Sequence, residues 1–330
     1  MKIGLYTITF LGVWYRGEAL TLEQVIDRAR EYGYAGIEID GKRPHGNPLD
    51  LPTRRCLEIR HRADAAGTPI YAVAANNDFS SPIPEQRESQ LAYVRELIRM
   101  TADLGAPVLR MFAAWPGVTL SSNGGRYDIA RRVWADAHQD EAAEHIWDRC
   151  RDGLIECAAW AGDRGVTLAL QNHPPVITNG QDMLRMIREV GSPALKACFD
   201  APLARKQGVT SMRQAIDEVG SLQVLTHFGG EYEVGADGHV VGSVRRAEGG
   251  LDPEDFYADF VRGSIAAGYE GYIGYELCHP LPKENGLTAG LEFAERNARL
   301  AVEYMQAIID HVQLRATMAA RLGPRSALKD

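Results

Sequence analysis

The chain has 330 residues, of which 45% are hydrophobic and 24% charged, and its formal net charge is −8. This composition is ordinary for a globular enzyme with a sizeable core. The acidic balance argues against binding to nucleic acid or to an anionic membrane, because both interactions depend on basic patches. We expect a small-molecule site instead.

Short apolar runs alternate with longer segments of helical periodicity along the chain. The predicted strands cover residues 2–9, 36–40, 69–74, 107–112, 166–172, 195–200, 222–227 and 271–276. The predicted helices cover about 21–32, 53–66, 84–104, 141–164, 180–190, 209–219, 253–267 and 287–313. Several helices end in glycine just before the next strand, which is a common helix stop. This serial strand–helix order predicts an α/β fold, a single (β/α)8 or TIM barrel over residues 1–314.

Three segments interrupt this regular order, and all follow strands rather than helices. They are residues 41–52 after strand two, 113–140 after strand four and 228–250 after strand seven. The last contains Asp237-Gly238 and predicts a hairpin. Loops that follow barrel strands build the active-site face. Residues 315–330 are predicted to form a polar C-terminal tail.

The sequence shows no pattern typical of a signal peptide, a membrane helix or a zinc site. The opening residues, MKIGLYTITF, predict a strand rather than a signal peptide. No run approaches the roughly 18 apolar residues of a membrane helix. The five cysteines show no zinc-type spacing, so we predict a reduced, cytoplasmic chain.

Side chains that can bind a metal stand at the ends of the last four strands. Strand five ends in Gln171-Asn172-His173, and the next three strands end in Asp200, His227 and Glu276. One such residue is more often a cap or a loop hydrogen-bonder than a ligand, but four on consecutive strands favour a shared site. Oxygen donors with one imidazole are typical of Mn²⁺, Mg²⁺ or Co²⁺. We therefore predict one divalent metal ion, with manganese favoured.

The motifs KIGLYTIT, YGYAGIEID, VTLALQNH, KACFDAP, THFGGE and GYIGYEL resemble those of the xylose-isomerase-like barrel superfamily, which includes sugar phosphate isomerases and epimerases. The resemblance implies metal ligands at Gln171, Asp200, His227 and Glu276. The family usually has glutamate where this chain has Gln171. A glutamine can coordinate through its amide oxygen but cannot accept a proton, which argues against epimerisation by two carboxylates.

Other segments, among them GVWYRGEAL, GKRPHGNPLDLP, RMFAAWPGVT and YELCHPLP, resemble the large subunits of bacterial C-glycoside deglycosidases. That narrower resemblance implies a small β-rich partner subunit. It also implies a lyase that deprotonates a 3-oxo glycoside beside its carbonyl and expels an aromatic aglycone. A metal bound to the sugar oxygens would stabilise the enediolate.

Several loop residues could bind the sugar or exchange protons with it. Histidine suits acid/base exchange near neutral pH. The candidates for acid/base work are His145, His173 and Glu231, and the candidates for substrate binding are His45, Arg110, Trp115 and His279. Glu38 is predicted to be a buried polar anchor inside the barrel, with Asp40 closer to the mouth. Trp14 and Tyr15 could stack on the ligand or pack a loop.

Four hypotheses remain at this stage. The first is the metal-dependent lyase, and the second is a sugar isomerase or epimerase with the same enediolate chemistry. The third is a non-catalytic barrel with a degraded metal site, which Gln171 leaves open. The fourth is a DNA-repair endonuclease, which the acidic balance disfavours.

Overall fold

The computed structural model describes residues 1–121, 124–206, 212–242 and 253–322. The strands are β1 (Lys2–Tyr6), β2 (Ile37–Asp40), β3 (Ile70–Ala74), β4 (Val108–Met111), β5 (Thr119–Ser121), β6 (Gly124–Arg126), β7 (Thr167–Gln171), β8 (Leu195–Cys198), β9 (Leu225–Gly229), β10 (Tyr232–Val234), β11 (Val240–Gly242), β12 (Tyr272–Glu276), β13 (Lys283–Glu284) and β14 (Leu287–Thr288). The α-helices are α1 (Leu22–Tyr32), α2 (Thr53–Ala66), α3 (Pro84–Asp103), α4 (Asp128–His138), α5 (Ala143–Asp163), α6 (Gly180–Val190), α7 (Ala201–Lys206), α8 (Met212–Val219), α9 (Pro253–Ala266) and α10 (Leu291–Leu322).

Eight parallel strands form one sheet in the order β8-β7-β4-β3-β2-β1-β12-β9. The first and last strands of the series pair directly, with Leu5 opposite Tyr275. β8 and β9 stand at the two ends of the order, and an isolated bridge between Ala197 and Gln223 joins their neighbourhoods. The sheet is thus a nearly closed barrel with one weakly paired seam, and the predicted TIM-barrel architecture is confirmed.

Local sequence signals explain where the helices begin and end. Thr21 caps α1: its hydroxyl accepts a hydrogen bond from the Gln24 backbone, and the Gln24 side chain accepts one from the Thr21 backbone. This capping box satisfies two amide groups that the first turn of a helix leaves free. Gly33 and Gly67 end α1 and α2 at φ values of 86° and 73°. Glycine adopts this left-handed conformation at little cost, so the turn into the next strand is tight.

The apolar side chains form two regions. The larger one lies between the strands and the helices and includes Val25, Ile26 and Leu97. The smaller one fills the barrel itself and contains Tyr71, Ala72, Ala169, Cys198 and Leu225. Because strand residues alternate in direction, the same strands serve both regions. The inner residues close the bottom of the barrel, so the polar residues nearer the strand ends face its mouth.

Two of the three predicted interruptions contain helix or strand among their described residues. Residues 113–140 contain the β5–β6 hairpin and α4. The predicted hairpin after strand seven is present as β10 and β11, with Gly238 in its turn, while residues 243–250 lie outside the described part of the chain. The loop over residues 41–52 has neither helix nor strand.

Two predicted boundaries need correction. The seventh barrel strand is Leu225–Gly229 rather than 222–227, because Gly220–Leu222 form a 3-10 turn before it. The last helix was predicted to end at 313, but α10 continues to Leu322, so part of the predicted tail is helical. Residues 323–330 of that tail lie outside the described part of the chain.

Among the described helices, none has both the length and the apolar character that crossing a membrane would require.

Candidate active site at the mouth of the barrel

A cavity of about 1090 Å³ opens where the eight barrel strands end. Polar and charged groups from the strand ends form its floor, among them Asp40, Gln171, Asp200 and Glu276. Aromatic and apolar residues of the 113–140 insertion form one wall. The mouth of a TIM barrel is where active sites of this fold lie. The combination of a polar floor and an apolar wall suits a small polar ligand held in one orientation.

Asp200 and His227 meet at the seam between β8 and β9. Oδ1 of Asp200 lies 2.9 Å from Nδ1 of His227 and also accepts a hydrogen bond from the His227 backbone at 3.1 Å. The Asn172 side chain accepts a hydrogen bond from the Asp200 backbone at 2.7 Å. His227 is fully buried, and Asp200 is 1% exposed. The structure therefore brings the ends of these two strands together at one point.

Glycine on β12 makes room for the His227 ring. Gly274 stands opposite His227 in the parallel register of β9 and β12. A Cβ atom on Gly274 would lie 3.0 Å from Cδ2 of His227 and 2.7 Å from the Tyr71 hydroxyl. The second distance is shorter than ordinary packing permits, so a larger residue would displace the ring.

Glu38 lies beneath the histidine and is fully buried inside the barrel, as predicted. Its Oε2 is 2.8 Å from Nε2 of His227, and its Oε1 accepts a hydrogen bond from Nε of Arg110 at 3.2 Å. Although burial disfavours the charged form, His227 and Arg110 hold the pKa of Glu38 below its ordinary value. A charged Glu38 fixes the imidazole tautomer, because Nε2 must then carry a proton.

Arg110 donates hydrogen bonds to three side chains inside the barrel. In addition to Glu38, it donates hydrogen bonds to the Tyr6 hydroxyl at 2.7 Å and to Oε1 of Gln171 at 3.1 Å. The guanidinium lies 4.8 Å from the centre of the Phe112 ring. Arg110 is 3% exposed, lines the cavity and forms the barrel salt bridge with Glu38, and its contact with substrate stays a prediction.

The metal expected from the strand ends can be tested against these donors. With Nε2 of His227 protonated toward Glu38, Nδ1 and Oδ1 of Asp200 are two acceptors 2.9 Å apart, and only a cation or a further proton between them relieves their repulsion. Burial opposes a second proton on His227, but the Glu38 carboxylate outweighs it, and the pKa of His227 is raised well above its ordinary value. Oδ2 of Asp200 is buried and has no hydrogen-bond partner among the described residues. The donors present therefore fit a divalent cation.

The other two predicted ligands are placed differently. Glu276 is half-buried at the end of β12 and lines the cavity. Its pKa is raised, because burial disfavours the carboxylate and Asp200 adds repulsion. Gln171 is 3% exposed, and its amide oxygen already accepts the hydrogen bond from Arg110. Gln171 thus shares its oxygen with Arg110, which weakens its case as a metal ligand.

Cys198 lies close to this pair but is a poor ligand. Its sulfur is 3.9 Å from Nδ1 of His227, and ligand atoms of Cys198, Asp200 and His227 all lie within 4.8 Å of one another. Burial raises the pKa of Cys198 to about 11, so the sulfur remains a thiol at neutral pH. Metals bind the thiolate rather than the thiol.

His173 reaches the cavity from the loop after β7. Its Nδ1 lies 2.5 Å from the carbonyl oxygen of Pro174, and its ring packs edge-on against Trp115, with the ring centres 4.7 Å apart. Burial lowers the pKa of His173 to about 4, so the ring is neutral at pH 7. The Nδ1 proton is then directed at Pro174, and Nε2 keeps its lone pair. Trp115, in turn, stacks on Phe112 and lines the cavity, and its role in substrate binding stays a prediction.

Glu231 and His279 form a second polar pair at the rim. Oε1 of Glu231 lies 3.2 Å from Nε2 of His279, and both residues line the cavity. They come from the loops after β9 and β12, which are neighbouring strands. Their side chains are 25% and 39% exposed, so they remain open to a ligand.

Two predicted site residues lie elsewhere and need correction. His145 is exposed in the first turn of α5 and does not line the cavity. His45 is 1% exposed, but its Nε2 lies 2.8 Å from the carbonyl oxygen of Leu20, and it too is outside the cavity lining. Both residues sit in or after long loops, whose course a strand count does not fix.

The structure also adds residues that the sequence pattern did not single out. Tyr6 ends β1 and donates a hydrogen bond to Oδ2 of Asp40 at 2.7 Å, while Tyr127 of the insertion lines the cavity wall. Tyr6 stands at a strand end, so the same reasoning that selected the other strand-end residues could have predicted it.

Trp14 and Tyr15, the two aromatic residues expected to stack on the ligand or to pack a loop, differ in position. Trp14 lines the cavity, whereas the Tyr15 hydroxyl donates hydrogen bonds to the Phe10 and Glu18 carbonyl oxygens and its ring packs the loop.

Comparisons with known proteins agree with this architecture. The family model described as a xylose isomerase-like TIM barrel matches residues 26–297. Fructoselysine 3-epimerases of Shigella flexneri and Escherichia coli O157:H7 are each 25% identical over 289 residues, covering 84% of this chain and 90% of each relative.

Solved structures share the fold. D-psicose 3-epimerase of Clostridium cellulolyticum H10 superposes with a TM-score of 0.66 at 16% identity, covering 94% of this chain and 99% of that one. The 3-keto-D-glucoside 4-epimerase of E. coli gives 0.63 at 16% identity, covering 95% and 99%. The chain belongs to the xylose isomerase-like TIM-barrel family.

Proposed function

We propose that the protein is a divalent-metal-dependent sugar epimerase or isomerase, which moves a proton at a carbon beside a sugar carbonyl. The observation that carries the proposal is the pair formed by Asp200 and His227, whose Oδ1 and Nδ1 lie 2.9 Å apart, with Oδ2 of Asp200 buried and unpartnered among the described residues. The relatives named above are epimerases acting on ketose derivatives or a 3-keto glucoside. They support the second hypothesis of the sequence analysis and give no support to the lyase.

Asp200 and His227 would hold the metal, and Glu276 supplies a further carboxylate at the same cavity. When bound, the metal acts as a Lewis acid that polarises the sugar carbonyl and acidifies the neighbouring C–H bond. Manganese, magnesium and cobalt all suit oxygen donors with one imidazole. Arg110 places a fixed positive charge beside this floor, where charge develops on the substrate oxygen.

Two groups are suited to carry the proton. Burial and the nearby Asp200 carboxylate raise the pKa of Glu276, so this carboxyl takes up a proton more readily than an exposed glutamate does. His173 is neutral, with its Nε2 lone pair available. They come from β12 and from the loop after β7, which are not neighbours in the sheet order. We propose that His173 replaces the carboxylate that Gln171 lacks, so that the two groups serve opposite sides of the sugar.

The rim pair completes the proposal. Glu231 and His279 offer an acceptor and a donor to sugar hydroxyls, and Trp115 offers an apolar surface to the ring. A cytoplasmic location and a small partner subunit remain predictions from the sequence.

The test is solvent exchange at the reacting carbon. The manganese-loaded protein is incubated in D₂O with ketohexoses, fructosyl amines, 3-keto glucosides and a 3-keto aryl C-glycoside, and NMR follows deuterium uptake, epimer formation and aglycone release. We expect epimer formation with deuterium at one carbon, and a loss of about 10²-fold or more in His173→Phe and Glu276→Gln. Aglycone release without an epimer would establish the lyase instead, and no exchange on any substrate would refute the proposal.

A further inference from the structure

A second cavity of about 660 Å³ adjoins the first. Residues that line both are Lys42, Asn76, Trp115, Pro116 and Val118. We call this second cavity the outer groove; its remaining lining comes mainly from the start of α3, the loop before it and the strand-four insertion. The two cavities therefore share a boundary rather than lying on separate faces.

The outer groove differs from the main cavity in chemistry. On one side, the start of α3 presents Glu85, Gln86, Ser89 and Gln90, all with side-chain hydrogen-bonding atoms. On the other side, the insertion presents apolar groups such as Val118 and Leu120, and Leu120 is 73% exposed. A carboxylate accepts hydrogen bonds and an amide both donates and accepts them, so together they can serve sugar hydroxyl groups, and an apolar surface suits the C–H face of a sugar ring. This pairing fits a hydroxylated ring better than an apolar group.

The size of the main cavity also favours a ligand larger than one sugar ring. Its volume of about 1090 Å³ is at the upper end of the roughly 300–1,000 Å³ that holds drug-sized ligands. A single sugar ring is smaller than such a ligand and leaves the boundary with the outer groove unfilled. Asn76 stands at that boundary and donates a hydrogen bond to Asp40 at 2.9 Å, so the boundary is tied to the cavity floor.

We propose that the outer groove is a second sugar subsite, and that the substrate is a keto sugar joined to another sugar ring rather than a free monosaccharide. This inference rests on the proposed function, in which the reacting ring lies on the floor beside Asp200 and His227. The glycosidic link would pass between Asn76 and Trp115. The second ring would lie between the start of α3 and the insertion.

Filling the outer groove tests the proposal. Ser89 is exposed on α3, and within the described part of the chain its hydroxyl donates one hydrogen bond, to the helix carbonyl of Glu85 at 2.7 Å. Ser89→Trp should therefore fill the groove without disturbing the core. Glu88→Trp is the matched control, because Glu88 is the preceding, exposed residue and lines neither cavity. The measurement is kcat/KM on a 3-keto disaccharide and on 3-keto glucose.

We expect Ser89→Trp to lower kcat/KM for the 3-keto disaccharide by about tenfold. We also expect it to change kcat/KM for 3-keto glucose less than twofold, and Glu88→Trp to change neither. Equal effects of Ser89→Trp on the two substrates, or no effect on either, would overturn the subsite.

A binding measurement separates this inference from the proposed function. Calorimetric titration of wild type with unoxidised cellobiose and with glucose needs no turnover. Tighter binding of cellobiose that is lost in Ser89→Trp supports the subsite even if no epimerisation is found. Equal binding of cellobiose and glucose refutes the subsite even if the epimerase activity is present.

Discussion

At the scale of single residues, the site depends on a buried relay of charged groups. Arg110 donates a hydrogen bond to Glu38, and Glu38 accepts another from the protonated Nε2 of His227, which leaves Nδ1 facing Asp200. Each member is nearly inaccessible to solvent, so each charge is offset by its neighbours. Glu38 does not line the cavity and would act on the metal only through His227.

Glu38→Gln tests that indirect role. The change keeps the shape but removes the charge that selects the Nε2–H tautomer, and we expect Mn²⁺ affinity to fall by about 10- to 100-fold. Asp40→Asn is the control, since Asp40 is equally buried on β2 but bonds to Tyr6 and Asn76 instead. Equilibrium dialysis with elemental analysis measures the affinity, and NMR of the imidazole nitrogens reports the tautomer. Unchanged affinity and tautomer in Glu38→Gln would show that Glu38 is only a packing group.

Asp78 gives a pH-dependent prediction in the outer groove. Burial raises the pKa of Asp78, while hydrogen bonds from Ser80 partly oppose the rise. A carboxyl whose pKa is higher when folded stabilises the fold at acidic pH and loses that contribution as the pH rises through the folded pKa. Asp78→Asn keeps an acceptor for Ser80 without the charge. We expect the variant to melt above wild type at pH 7, with the difference shrinking as the pH falls and vanishing only below the ordinary aspartate pKa of about 4. An equal shift at both pH values would contradict the assignment.

At the scale of elements, the insertion after β4 supplies the cavity wall. Its β5–β6 hairpin and α4 are tied to the loop after β12 by the Tyr127 hydroxyl, which donates to the carbonyl oxygen of Cys278. The Tyr127 ring also packs against Trp14, with the ring centres 4.9 Å apart. This contact joins segments more than a hundred residues apart in the sequence, so it holds the wall in position over the floor.

Tyr127→Phe removes that bond and keeps the ring. The lost hydrogen bond contributes roughly 1 kcal/mol to holding the cavity wall in place, so we expect KM to rise by about fivefold. We expect kcat to change less than twofold. Thr119→Val is the control, because the Thr119 hydroxyl bonds to Arg126 within the hairpin and not to the barrel. Steady-state kinetics on the best substrate measures both. A fall in kcat alone would place Tyr127 in the chemistry rather than in the wall.

The elements also show what sequence patterns can and cannot predict. Strand ends in a parallel barrel converge, so Asp200 and His227 could be paired from their positions alone. His145 and His45 could not be placed, because the path of a loop depends on tertiary contacts that have no short-range signature. Because of the 3-10 turn at Gly220–Leu222, β9 begins three residues later than predicted. His227 still lies within the strand, so its predicted inward direction did not depend on the boundary.

At the scale of the whole molecule, the barrel is least connected where the metal is expected. No continuous ladder joins β8 to β9 among the described strands. Side chains bridge the gap: Gln223 bonds to both the amide and the carbonyl of Phe199, and Thr226 donates to the same carbonyl. Asp200 follows β8 and His227 lies on β9, so an ion bound by both would join the two sides of this seam.

Metal removal should therefore destabilise the barrel mainly at the seam between β8 and β9. At about 100 times its dissociation constant, a ligand that binds only the folded state adds roughly 2.7 kcal/mol. At about 2–4 °C per kcal/mol, we expect Mn²⁺ to raise the Tm by roughly 5–11 °C. Hydrogen exchange should slow mainly in β8 and β9, and Asp200→Asn should show neither effect. Protection spread evenly over the barrel would mean that the ion stabilises the fold without closing the seam, and no gain in Tm would mean that Asp200 and His227 do not bind it.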